Sequence, residues 1–124
     1  NSVGAMLMHL AGMERYYQIK TLTGISKSDL SFGVSDAEWE AASSLGGKGR
    51  EIFKDKPLSY YLDKLAKVRA FSLEELKNRE DSWLLEATNG FDKKPTNNYC
   101  RWFHVVEHES NHNGQIKLIK SRIT

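Results

Sequence analysis

The residues of this chain best suited to chemistry are the histidines near its C-terminal end. His104, His108 and His112 are spaced four residues apart, so on a helix they form one slowly turning stripe. Histidine is the commonest protein metal ligand and exchanges protons near pH 7. Each four-residue step turns a side chain by about 40°, so one ion accepts two successive histidines more easily than all three. The spacing therefore predicts a metal site that uses His108 with either His104 or His112.

A third ligand has to come from another part of the chain, and His9 is the one histidine that remains. It borders a stripe of apolar residues at helical spacing and is expected to point inward. Two ligands from one helix and one from a neighbour is how metal sites in helical bundles are built. Three histidines that leave a coordination position open suit catalysis. All-imidazole ligation favours a divalent ion, with Zn²⁺ or Ni²⁺ first and Fe²⁺ or Mn²⁺ next.

The same segment contains a competing motif. His108-Glu-Ser-Asn-His112 fits the H-E-x-x-H pattern of zinc proteases, in which Glu109 would be the general base. Those enzymes usually take their third ligand downstream, and no His, Asp or Glu follows His112. The protease interpretation therefore has little support. Four polar residues flank the histidines, and any of them could orient an imidazole through its second nitrogen: Glu107, Glu109, Asn111 and Gln115.

Three long helices must position these residues. Apolar residues at helical spacing predict them from Asn1 or Ser2 to about Ile19, from Pro57 to about Leu76, and from Thr96 or Asn97 to about Ser121. A short helix between the first two begins at the capping box Ser35-Asp-Ala-Glu38. The connection over residues 81–96 can hold a short extended piece, and the chain shows no convincing β-hairpin pattern. The chain is therefore predicted to be all-α.

Apolar stripes on two of these helices are expected to be buried. On the second long helix they are Leu58, Leu62, Leu65 and Val68, and on the last they are Tyr99, Trp102, Phe103, Val106, Ile116 and Ile119. Three long helices are one short of a four-helix bundle. We therefore expect a helix upstream of Asn1 that this chain lacks, and an apolar face that either such a helix or a second copy of the chain covers, with a homodimer preferred.

Composition narrows the function classes. Residues 1–124 are enough for a single domain, and the hydrophobic fraction of 40% is ordinary for a globular protein. A net charge of +2, without clustering of Lys and Arg, argues against nucleic acid as a partner. No apolar run approaches the roughly 18–20 residues that span a bilayer. One cysteine and no signal-peptide pattern predict a cytoplasmic protein.

The two ends of the chain resemble the DinB-like (DinB/YfiT) superfamily. The matching residues are Met8-His9-Leu10 with Glu14 following, and His104-Val-Val-Glu-His108-Glu-Ser-Asn-His112-Asn-Gly-Gln-Ile116. The last helix of that family often reads His-x3-His-x-Gly-Gln-Ile. The resemblance implies a four-helix bundle with a divalent metal bound by three histidines, which are here His9, His108 and His112. His104 then becomes a pocket residue, and the bundle's first helix is the one expected to be missing.

Characterised relatives in that superfamily include thiol-dependent transferases and isomerases. The resemblance therefore implies a metal-dependent enzyme, a thiol-dependent S-transferase or a hydrolase, that acts on a small-molecule thiol or electrophile. The metal would lower the pKa of a bound thiol or water, and His104 is the candidate for proton transfer beside it. A rival from another class is a non-catalytic metal-binding stress-response protein whose metal only fixes the bundle.

Overall fold

The computed structural model describes residues 2–89 and 93–123, and these are mostly helical. The helices are α1 Val3–Thr21, α2 Asp36–Ser43, α3 Gly47–Ile52, α4 Leu58–Lys77, α5 Asp81–Leu84 and α6 Asn98–Ile123. A 3-10 turn at Lys27–Leu30 and two short strands, β1 Ala87–Asn89 and β2 Pro95–Asn97, complete the described elements. The all-α prediction is confirmed at this level. No described helix has the length and apolar character needed to cross a membrane.

Local hydrogen bonds explain where the helices begin. The Ser2 hydroxyl accepts from the Ala5 amide and starts α1. At α2 the predicted capping box is confirmed, because Ser35 and Glu38 bond each other's backbone amides. The Asn97 side chain accepts from the Cys100 amide at the start of α6. Each cap satisfies a backbone N–H group that has no partner within its own helix.

Helix α1 lies at the centre of the molecule and packs against α2, α4 and α6. It runs parallel to α4, because Gly4 lies against Tyr61 near the start of both helices and Gln18 donates to the Val68 carbonyl further along. It runs antiparallel to α6, because His9 contacts His108 while Thr21, at its other end, contacts Trp102. The connection from α1 to α4 therefore crosses back along the bundle, carrying α2 and α3. The core between these helices contains Met8, Ala11, Trp39, Phe53 and Val68.

The predicted buried stripe of α4 is partly wrong. Leu58 is 58% exposed and Leu62 is 49% exposed, whereas Tyr61 and Val68 are buried. A shift of three residues turns a helical face by about 60°. The Tyr61 face is selected because Gly4 lets α1 approach the Tyr61 ring closely, and because the Gln18 amide bonds the α4 backbone. The leucine stripe instead borders an open groove.

Helix α6 departs from its predicted face in the same way. Tyr99, Phe103 and Val106 are all more than half exposed, while Arg101 and Val105 are buried against α1. The buried side of α6 thus carries polar Arg101 beside apolar Val105, and part of the apolar stripe points outward. Periodicity identifies an apolar stripe, but it does not determine which partner covers the stripe.

The short extended piece expected within residues 81–96 is present, but the expectation that the chain has no hairpin pairing is wrong. Strands β1 and β2 pair antiparallel, with Ala87 opposite Asn97 and Thr88 opposite Thr96. The pair is fastened to the start of α6, since the Asn98 amide donates to the Glu86 carbonyl. Strands of three residues with little apolar alternation give almost no periodic signal, which explains why the pattern did not reveal them.

Candidate metal centre

Three histidines from two helices converge at the middle of the α1–α6 contact. The potential ligand atoms of His9, His108 and His112 all lie within 4.8 Å of one another. His9 Nε2 is 3.0 Å from His108 Nε2, and His112 Nε2 is 3.1 Å from the same atom. Of the two histidine pairs that the spacing left open, the structure brings His108 and His112 together with His9.

Hydrogen bonds to neighbouring oxygens determine which ring nitrogen of His9 and of His112 carries the proton. His9 Nδ1 donates to the Ala42 carbonyl at 2.9 Å, and His112 Nδ1 donates to Gln115 Oε1 at 2.9 Å. The Nε2 atoms of both rings therefore carry lone pairs, which point at the Nε2 atom of His108. A ring N–H of His108 can satisfy only one of these lone pairs, whereas a single cation satisfies all three nitrogens.

The nitrogen spacing is compatible with one ion. For metal–nitrogen bonds of about 2.1 Å, two ligand nitrogens lie about 3.0 Å apart at a right angle and about 3.4 Å apart at a tetrahedral angle. The observed separations of 3.0 and 3.1 Å fall in this range. The three side chains could therefore hold a divalent ion such as Zn²⁺, Ni²⁺, Fe²⁺ or Mn²⁺, and imidazole donors do not select among these ions.

The surroundings of His9 and His108 favour the neutral form of these two imidazoles. Burial and, to a smaller extent, the neighbouring charges of His9, His112 and His104 together lower the pKa of His108 to about 4. Burial also lowers the pKa of His9, against an opposing hydrogen bond to the Ala42 carbonyl. A neutral imidazole is the form that binds metal, so these two residues need not lose a proton at pH 7 to become ligands.

The position of His9 follows from the end of α2. Ala42 lies in the last turn of α2, where backbone carbonyls have no partner within the helix. Its carbonyl therefore accepts from His9, which is buried on α1. At the other ligand, the contact of Gln115 with His112 agrees with the prediction that a flanking polar residue orients an imidazole.

His104 lies one turn from this cluster and is not part of it. Its ring centroid is 5.8 Å from that of His108, and its side chain is 43% exposed. Its Nδ1 atom lies 3.1 Å from the Glu107 carboxylate. On its other side, the Tyr17 ring lies 6.0 Å away. His104 is thus placed beside the three converging imidazoles, in contact with solvent.

Glu109 takes part in a different interaction, which the sequence reasoning missed. Its carboxylate pairs with Arg69 of α4, and Arg69 also donates to both carboxylate oxygens of Glu14 on α1. These two carboxylates raise the pKa of Arg69. Glu109 is therefore held by a cation on the side of α6 that faces α4, which does not suit the general base of a zinc protease. The sequence feature that could have indicated this ion pair is Arg69, a charged residue within the leucine stripe of α4.

Comparison with protein-family models and with curated proteins finds no match for this chain. The cluster supplies three nitrogen donors at one point between two helices. That arrangement can hold a metal ion.

Proposed function

We propose that this chain is a divalent-metal-dependent enzyme of the DinB-like kind, in which His9, His108 and His112 hold the ion. The observation that carries the proposal is the convergence of three imidazoles without a fourth donor. Within the described ranges 2–89 and 93–123, no additional His, Cys, Asp or Glu joins this cluster. Three protein ligands leave coordination positions for water or substrate, which is the arrangement of catalytic rather than structural sites.

In this proposal the metal, the residues that orient the imidazoles and His104 have separate roles. A bound divalent ion would lower the pKa of a coordinated thiol or water, so that this group becomes a nucleophile near pH 7. Ala42 and Gln115 hold the two outer imidazoles so that their Nε2 lone pairs face inward. Glu107 accepts from His104 Nδ1, and His104 Nε2 is the ring nitrogen that would take a proton from the nucleophile. The reaction class is the addition of a thiol to an electrophile, or hydrolysis.

A second candidate is a non-catalytic metal-binding protein of a stress response. The observation in its favour is that the cluster joins two helices, because His9 belongs to α1 and the other two histidines to α6. A metal there would stabilise the folded chain even without turnover. The ion pair between Glu109 and Arg69 argues against a third candidate, the zinc protease.

Metal analysis combined with an activity screen separates these functions. We expect the wild-type chain to bind about one divalent ion, and His108→Gln to lose it. His104→Gln is the matched control, because it removes a histidine from the same helix and leaves all three ligands. The enzyme proposal expects this control to keep its metal and to lose thiol addition or hydrolysis. Full metal retention by His108→Gln would refute the site, whereas wild-type metal without any turnover favours the stress-response protein.

We also propose that the chain forms a homodimer. A groove of about 420 Å³ lies between α4 and α6, with Leu7 and Leu10 of α1 among its lining residues. The exposed side chains Leu58, Leu62 and Leu73 continue this apolar surface along α4 for about 22 Å. Two copies related by a two-fold axis would cover the leucine stripe of one another, which is the commonest way such a face is buried.

A further inference from the structure

Arg101 is a buried cation whose hydrogen-bonding capacity is largely unused. It is 7% exposed, and its Nε and Nη1 atoms have no hydrogen-bond partner within the part of the chain that the structure describes. A guanidinium group that leaves water loses its hydration, and folding normally replaces it with a carboxylate or carbonyl oxygen. Two buried nitrogens of Arg101, Nε and Nη1, receive no such replacement.

Other buried cations of this chain do have acceptors. Arg15 donates to the Leu30 and Lys27 carbonyls. Lys64 donates to the Phe32 carbonyl at 3.1 Å. Both side chains are buried to a similar degree as Arg101. The fold therefore supplies oxygen acceptors to cations elsewhere, and the unpartnered Arg101 nitrogens mark a position where a ligand could supply them.

The local field at Arg101 also favours an anion. Arg101 lies in the first turn of α6, and that turn contains no acidic residue. The unpaired N–H groups at the start of a helix carry a partial positive charge. The nearest aromatic contact is the Tyr17 ring, whose centroid lies 5.6 Å from the guanidinium carbon. An aromatic face attracts the cation but accepts no strong hydrogen bond from it.

A continuous row of side chains connects Arg101 to the candidate metal centre. The guanidinium of Arg101 lies over Tyr17, the Tyr17 ring lies 6.0 Å from His104, and His104 lies 5.8 Å from His108. Seven residues separate Arg101 from His108, which is nearly two full turns, so the two side chains leave α6 in similar directions. The rise between them is about 10 Å.

We propose that Arg101 binds the oxyanion of a small-molecule substrate whose reacting group lies about 10 Å away, at the three histidines. This inference rests on the proposed function, and it names the substrate class as carboxylate- or phosphate-bearing compounds. The unpartnered Nε–H and Nη1–H groups donate to the oxyanion, and the Tyr17 and His104 rings lie between the two points. Arg101 would bind one end of the substrate, and the reacting group at the other end would lie at the three histidines.

Titration of the full chain with acetate and with inorganic phosphate tests this proposal. The resonance of the Arg101 Nε–H group is followed by NMR at constant ionic strength, with chloride as the reference anion. We expect a saturable shift with one or both oxyanions, and the two titrations distinguish a carboxylate from a phosphate site. Arg101→Lys lacks this reporter, so its affinity is followed through the backbone amide resonances of the first turn of α6, and we expect it to fall about tenfold or more. Arg122→Lys, at an exposed arginine of the same helix, is the matched control and should not change it.

The outcomes also separate this inference from the proposed function. Anion binding is measured on metal-free and on metal-loaded protein, and metal content is measured independently in Arg101→Lys. Loss of anion affinity with metal retained supports the Arg101 site. If the wild-type chain binds the anion but holds no metal, the Arg101 site is supported and the proposed metal-dependent enzyme is refuted. Absence of a saturable Arg101 shift up to tens of millimolar of either oxyanion overturns the inference, and this titration does not depend on any variant folding.

Discussion

Arg69 connects three helices, and its removal should measurably destabilise the protein. Its guanidinium donates to the Glu14 carboxylate at 2.9, 3.2 and 3.0 Å and also pairs with Glu109. The Glu14 side chain is only 4% exposed. In Arg69→Met this buried carboxylate loses its partner, because methionine fills similar space without a donor. The expected result is a large loss of folding stability.

The size of the loss follows from the exposure of the two partners. Removing one partner of a fully buried ion pair costs about 3–5 kcal/mol. Arg69 is 43% exposed, so water reaches its position in the variant and solvates part of the Glu14 charge. We therefore expect a loss of about 2–3 kcal/mol in the free energy of unfolding. Against a typical total of about 5–15 kcal/mol, such a change is easily measured.

Urea unfolding followed by far-UV circular dichroism gives the free energy and the m-value that checks for two-state behaviour. Glu14→Gln combined with Arg69→Met removes the unpaired charge, so the double variant should recover about 1 kcal/mol or more relative to Arg69→Met alone. Lys67→Met is the matched control, because Lys67 pairs with Asp63 on the surface of the same helix. It should change stability by less than about 0.5 kcal/mol. An Arg69→Met variant as stable as this control would refute the reasoning.

Three further predictions concern the histidine cluster and the groove. A chelator should lower the melting temperature of metal-loaded wild type but not of His108→Gln, because an ion at 100 times its Kd stabilises the folded state by about 2.7 kcal/mol; equal shifts would contradict the site. Metal-free protein should lose stability as pH falls from about 6.5 toward 4. Folding lowers the pKa of His9 and of His108, the latter to about 4, so the unfolded chain binds more protons in this window; pH-independent urea midpoints would oppose this. Leu62→Glu should convert a dimer to a monomer in light scattering, because it places a charge on the exposed stripe of α4; a wild-type monomer would reject the dimer.

The helices and the candidate ligands on α6 could be predicted from the sequence, because both depend on residues that are close together in the chain. Helical periodicity and capping residues located the three long helices to within a few residues, and the box at Ser35 and Glu38 was correct. The four-residue spacing of the histidines restricted the candidate ligands on α6 to two pairs. These features depend on residues a few positions apart, and helix geometry relates such residues without reference to the rest of the chain.

The tertiary structure decided everything that depends on distant residues. His9 and His108 are 99 positions apart, and only the antiparallel packing of α1 on α6 selects His112 as the third member of the cluster. The rotation of α4 was likewise decided by Gln18 and by the close approach at Gly4, against the leucine pattern. An apolar stripe lowers its free energy against any apolar partner, whereas a hydrogen bond or an ion pair needs one particular atom at one distance. Polar contacts between distant residues therefore determine which face of each helix is buried, which the apolar periodicity left open. The histidine cluster is one consequence of this packing.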